Sequence, residues 1–166
     1  MIFLTVGTQF PFDRLVRAID SIIDKGLISE TLFAQIGESS YKPRNFESAA
    51  CLEKCVFDDY MRQASGIIGH AGMGTITMAL CNHKPLLVMP RLKKYGEVVN
   101  NHQLAIARKF ESLGHILAAY DIDDLTKEIQ KLRNFVPQPR KISPHAVAER
   151  IRCFLDSLQN STVCTK

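Results

Sequence analysis

Short apolar runs closed by glycine or proline recur along the whole chain, and most lead into a stretch with apolar residues at helical spacing. Residues 2–6 end at Gly7 and lead to a stripe of Phe12, Leu15, Val16, Ile19, Ile22 and Ile23. Residues 32–36 end at Gly37, residues 66–69 open into the small-residue turn 70–75, and residues 85–90 are bounded by proline. Runs this short and this apolar read as strands covered on both faces, and the stripes read as helices with one buried side. Strands that alternate with helices can bury both sheet faces only as a doubly wound parallel sheet, so the expected class is α/β.

The remaining segments follow from local signals. Pro11 opens the first helix and Gly26 stops it. Residues 38–50 have no clear period and read as a loop. Residues 55–57 read as a short strand, with Asp58 capping a helix through Ala64. A helix follows the 70–75 turn to Asn82, and a polar loop at 91–99 precedes a helix at 101–113. A strand at 115–119 comes next, and Asp121 caps a helix to Leu132. Ser143 and Pro144 open a last helix to about Leu158, and a flexible tail is expected over 159–166. The 166 residues are expected to form one Rossmann-like domain over 1–158.

A net charge of +4 is too small to suggest a nucleic-acid partner. The five cysteines are odd in number and lack Cys-x-x-Cys spacing, which argues against a disulfide framework or a zinc site and for a cytoplasmic location. No apolar run approaches the ~18 residues of a transmembrane helix.

Ligands of doubly wound sheets bind at the carboxyl ends of the strands, which singles out the turns at Gly7, His70 and Arg91. In the turn His70, Ala71, Gly72, Met73, Gly74, Thr75, glycines allow close backbone approach and the helix start offers free N–H groups, a pattern suited to phosphate. It lacks the Gly-Lys-Ser/Thr ending of a Walker loop. A tight turn that merely packs a helix has the same spacing, and His70 reads equally as a phosphate donor or a buried structural histidine. Gly7, Thr8 and Gln9 form a second small polar turn at the same edge. Glu97, Asn101, His102 and Gln103 offer donors and acceptors suited to sugar hydroxyls, although a solvated loop and helix cap have the same composition. Asp121-Ile122-Asp123 matches a metal-binding Asp-x-Asp, but its place at a helix start favours capping. No metal or cofactor is expected.

Taken together, the runs 5–13, 70–75, 84–91 and 96–104 resemble the carboxy-terminal domain of glycosyltransferase family 28, on the GT-B fold. The first and last runs also resemble the small soluble subunits of bacterial two-subunit exopolysaccharide glycosyltransferases. The resemblance implies that Gly7, Thr8 and Gln9 face the donor diphosphate, that Phe57 flanks the uracil, and that residues 70–75 bind the diphosphate. It implies that His102 and Gln103 read the sugar. Two positions depart from the family pattern: Met78 stands where relatives carry a ribose-binding Glu, and Ile106 where they often carry Asn. Glu97 is the candidate substitute for the first. The resemblance further implies an inverting transfer of a hexose from a UDP-sugar to a lipid-linked acceptor. A membrane-associated partner subunit would carry the acceptor site and recruit this chain to the inner face of the cytoplasmic membrane. The alternative is a non-catalytic nucleotide-binding or regulatory module.

Overall fold

The computed structural model describes residues 1–139 and 144–161. Six parallel strands form one sheet, β1 (Ile2–Thr5), β2 (Leu32–Gln35), β3 (Glu47–Ala49), β4 (Gly66–His70), β5 (Leu86–Met89) and β6 (Leu117–Ala118). Their order is β3-β2-β1-β4-β5-β6, the doubly wound order, with the switch point between β1 and β4. The helices are α1 (Asp13–Asp24), α2 (Lys54–Gln63), α3 (Met73–Cys81), α4 (His102–Ser112), α5 (Ile122–Leu132) and α6 (Pro144–Ser161). Side chains alternate along each strand, so β1 supplies both cores. Ile2, Leu4 and Val6 pack with Leu15 and Ile19 of α1 and Leu125 and Ile129 of α5. Phe3 faces the other way, with Ile67, Val88, Met61 of α2, Ile76 of α3 and Ala107 of α4. Among the described residues no helix is long and apolar enough to cross a membrane.

Two segments differ from the sequence-based expectation. Residues 55–57 belong to helix α2. Phe57, Tyr60, Met61 and Ala64 repeat at helical spacing and pack in the second core, and the tertiary burial of that stripe overrides the strand preference of Val56 and Phe57. The tract 38–50 contains β3, which pairs with β2 from Phe33↔Glu47 to Gln35↔Ala49. This edge strand is short and largely exposed, so it carries no alternation to announce it. Helix α6 continues past 158 to Ser161, whereas Ser143 and residues 162–166 lie outside the described residues.

The loop leading into β3 is organised by two carboxylates on α1. Asp20 is buried and accepts hydrogen bonds from the Tyr41 hydroxyl (2.6 Å) and from the backbone N–H groups of Arg44 (3.1 Å) and Asn45 (2.9 Å). Asp13 accepts from the Ser39 hydroxyl and from the Ser40 N–H at 3.1 Å. Burial pushes both carboxyls up, but these donors outweigh it and hold both below their ordinary 3.8. Their stabilisation is therefore complete above about pH 4 and is lost as pH falls through the lower native values. Asp20→Ala leaves several donors unpaired and should cost about 2–4 kcal/mol, read as a lower urea midpoint, with Asp20→Asn losing less. An unchanged midpoint would mean that these bonds do not hold the loop.

Candidate functional site

A cleft of about 690 Å³ opens above the carboxyl ends of β1 and β4, a volume suited to a small-molecule ligand. It brings together Gly7, Thr8 and Gln9 of the β1–α1 turn with His70, Gly72, Met73, Gly74 and Thr75. Phe57 lines it from α2, and His102 and Gln103 line it from the start of α4. Residues that lie far apart in the chain meet here because β1, β4 and β5 are neighbours in the sheet.

His70 organises the floor. Gly7 has φ +77°, and a Cβ there would lie 2.8 Å from Cε1 of His70. A Cβ at Gly72 would collide with the same ring at Nε2. Both glycines therefore make room for the imidazole as well as shaping their turns. Burial and the positive charge of Arg91 push His70 down to about 4, against a weaker opposing contribution from the Thr5 backbone. The ring is thus neutral near pH 7, with one N–H donor and one acceptor nitrogen, and its Nδ1 is buried without a hydrogen-bond partner. Beside it α3 begins without a side-chain cap. Its first N–H groups have no intrahelical acceptor and carry the positive end of the helix dipole. An uncapped helix start beside a neutral polar ring is arranged to receive an anion on its free N–H groups.

The sequence pointed to the turn at Arg91 but gave the arginine itself no role. Arg91 is 2% exposed, and its Nη2 donates to the carbonyl of Val6 at 2.6 Å and to that of Phe10. Its guanidinium lies 5.1 Å from the centre of the Phe12 ring. The backbone N–H of Arg91 donates to Oε1 of Gln103 at 3.1 Å, which fixes Gln103 while its amide –NH₂ is a second polar group at the cleft wall. Proline followed by arginine at a strand end was the available signal, but the partners of that arginine lie 81 and 85 residues away.

Three of the expected residues lie elsewhere. Glu97 is outside the cleft, with its carboxylate accepting from Nε (2.7 Å) and Nη2 (2.9 Å) of Arg14 and from the Leu92 N–H (2.9 Å). These bonds consume both oxygens and tie the β5–α4 loop to α1. Asn101 accepts from the Lys93 N–H at 2.9 Å and stands at the N-terminus of α4. Ala71 is fully buried in the second core. Met78 lines the cleft, as does Asp58, whose Oδ1 has no partner and whose Oδ2 accepts from Lys54 at 2.6 Å. Phe57 also meets Phe3 edge-on, with ring centres 5.4 Å apart. Asp121 accepts from the Ile122 N–H at 2.6 Å, the capping role expected of it. Among the described residues no group of His, Cys, Asp and Glu is placed to hold a metal.

The family profile described as Glycosyltransferase family 28 C-terminal domain matches residues 1–153. Over 124 residues the chain is 32% identical to the human UDP-N-acetylglucosamine transferase subunit ALG13, a match covering 69% of this chain and 10% of the human protein. Over 63 residues it is 43% identical to the subunit of the same name from Eremothecium gossypii, covering 37% of this chain and 29% of that one. The chain thus spans well under half the length of these relatives. The solution structure of ALG13 superposes with a TM-score of 0.57 at 20% identity, covering 90% of this chain and 93% of that one. MurG from Acinetobacter baumannii gives 0.61 at 18% identity, covering 81% of this chain and 42% of that one. At these identities the superpositions establish a shared fold.

Proposed function

We propose that this chain, which belongs to the glycosyltransferase family 28 C-terminal domain family, binds a UDP-sugar above β1 and β4 as the donor subunit of a two-component inverting glycosyltransferase. The observation that carries the reading is the neutral His70 held between Gly7 and Gly72 beside the uncapped start of α3. The diphosphate lies across these turns. Charge that develops on the departing UDP is stabilised by the N–H groups of α3 and by the His70 donor, in a geometry set before reaction. Phe57 flanks the base, and His102 and Gln103 meet the sugar hydroxyls. The relatives are named as UDP-N-acetylglucosamine transferase subunits, which supports a partner chain and makes UDP-N-acetylglucosamine the first donor to test. The acceptor is a lipid-linked sugar at the inner face of the cytoplasmic membrane, where the partner subunit recruits this chain. The product is a hexose-extended lipid-linked sugar used in polysaccharide synthesis.

Calorimetric titration of the purified chain with UDP and a panel of UDP-sugars tests the donor assignment. Saturable binding of UDP is expected without added metal, and no binding of any nucleotide sugar would refute the reading. Gln103→Ala should weaken the preferred UDP-sugar by about tenfold, the loss of one polar contact of ~1.4 kcal/mol, with a smaller change for UDP. Equal losses for both ligands would remove Gln103 from the sugar subsite.

A further inference from the structure

We propose that Arg91 is a positioning residue of the donor site, which locks the β1–α1 turn in place from the end of β5 by bridging the carbonyls on either side of Gly7, Thr8 and Gln9. The proposal rests on the donor reading above and adds a residue which that reading does not use. Sheet order puts β4 between β1 and β5. A group at the end of β5 must therefore span about 10 Å, two interstrand spacings, to hold β1's turn. Arg91 does so with its side chain: a single nitrogen donates to Val6 and Phe10, the two residues that bracket the turn. The guanidinium rests on Phe12 at the entry to α1, and the Arg91 backbone is held by Gln103. One residue thus joins the turn assigned to the diphosphate to the residue assigned to the sugar.

The arrangement has a cost that a purely structural tie would not require. A buried guanidinium is strongly desolvated, and Nε of Arg91 is left without a partner. Burial lowers Arg91 to about 10, still charged near pH 7, and Glu97 acts in the opposite direction. Arg91 in turn helps to keep His70 neutral. Cys51, Lys54, Asp58 and His102 are the other titratable groups lining the cleft.

Substitution separates the two effects. Arg91→Lys keeps the positive charge but presents a point ammonium in place of the planar fork. Arg91→Met removes the charge as well. In Arg91→Lys, backbone order at Gly7, Thr8 and Gln9, read by heteronuclear NOE, should fall while β1 stays ordered. UDP affinity should drop about tenfold, and His70 should still titrate near 4. In Arg91→Met the turn should loosen likewise, and His70 should titrate closer to its ordinary 6.5. If Arg91→Met does not fold, Arg91→Lys alone decides. Native order at the turn with native UDP affinity in a folded variant would overturn the proposal, as would loosening spread evenly through β1, β4 and the turn. Failure of the native chain to bind UDP would instead sink the donor reading, and the order of the unliganded turn would still show whether Arg91 locks it.

Discussion

Gly74→Val should leave the fold intact and reduce UDP affinity by about tenfold to a hundredfold. Gly74 lies in the first turn of α3, and a Cβ built there meets nothing within 4 Å, so the protein itself has no objection to a larger side chain. Removing glycine from a helix should even favour the native state slightly. Gly74 lines the cleft in the first turn of α3, so the valine adds bulk to the cleft beside the helix start. Charge-assisted hydrogen bonds to the free N–H groups there contribute about 1.5–3 kcal/mol each, and losing one accounts for the expected range. Gly72→Val is the informative contrast: its Cβ collides with His70, so it should lower stability together with binding. A folded Gly74→Val protein with native UDP affinity would move the diphosphate away from α3.

The second large effect concerns transfer. The chain alone should give no transfer to a lipid-linked acceptor above background, and addition of its membrane-associated partner should produce robust transfer. Displacement at an anomeric carbon needs an acceptor hydroxyl aligned with it and a base within hydrogen-bond reach of its proton. The residues lining the cleft come from strand ends, loops and helices at one edge of a single sheet. Asp58 is the carboxylate among them, and Lys54 holds one of its oxygens. His70 is pinned between two glycines on the cleft floor and has too low a basicity for a base acting near neutral pH. On the proposed reading, the acceptor and its base belong to a facing wall that the partner supplies. A radiolabelled-sugar assay with the chain alone, partner membranes alone and both together decides the matter. Robust transfer by the chain alone would refute the division of labour.

The two substitution series also separate what the site's glycines do. Read from spacing, Gly72 and Gly74 look alike. In three dimensions one accommodates His70 and the other faces open space. Their different neighbours come from the path of the chain through β4, and no local pattern distinguishes them.

The alternation of buried strands with amphipathic helices determined the fold class by itself, because covering both faces of short apolar strands leaves few architectures. That alternation also pointed to the edge at which the cleft lies, since the ends of parallel strands are set by the same punctuation that ends the apolar runs. The Asp121 cap was legible because its hydrogen bond is to the adjacent residue. Tertiary structure decided the rest. The edge strand β3 exists because backbone groups of β2 have partners at residues 47–49, a pairing with no side-chain signature. Helix α2 is fixed by a stripe that is buried only when it meets Phe3 and Phe33. Glu97 was drawn out of the cleft by Arg14, 83 residues earlier, and Arg91 was drawn across the sheet by carbonyls at Val6 and Phe10. A charged side chain at a strand end satisfies its hydrogen bonds with whatever the topology brings within reach, and sequence spacing carries no record of that choice.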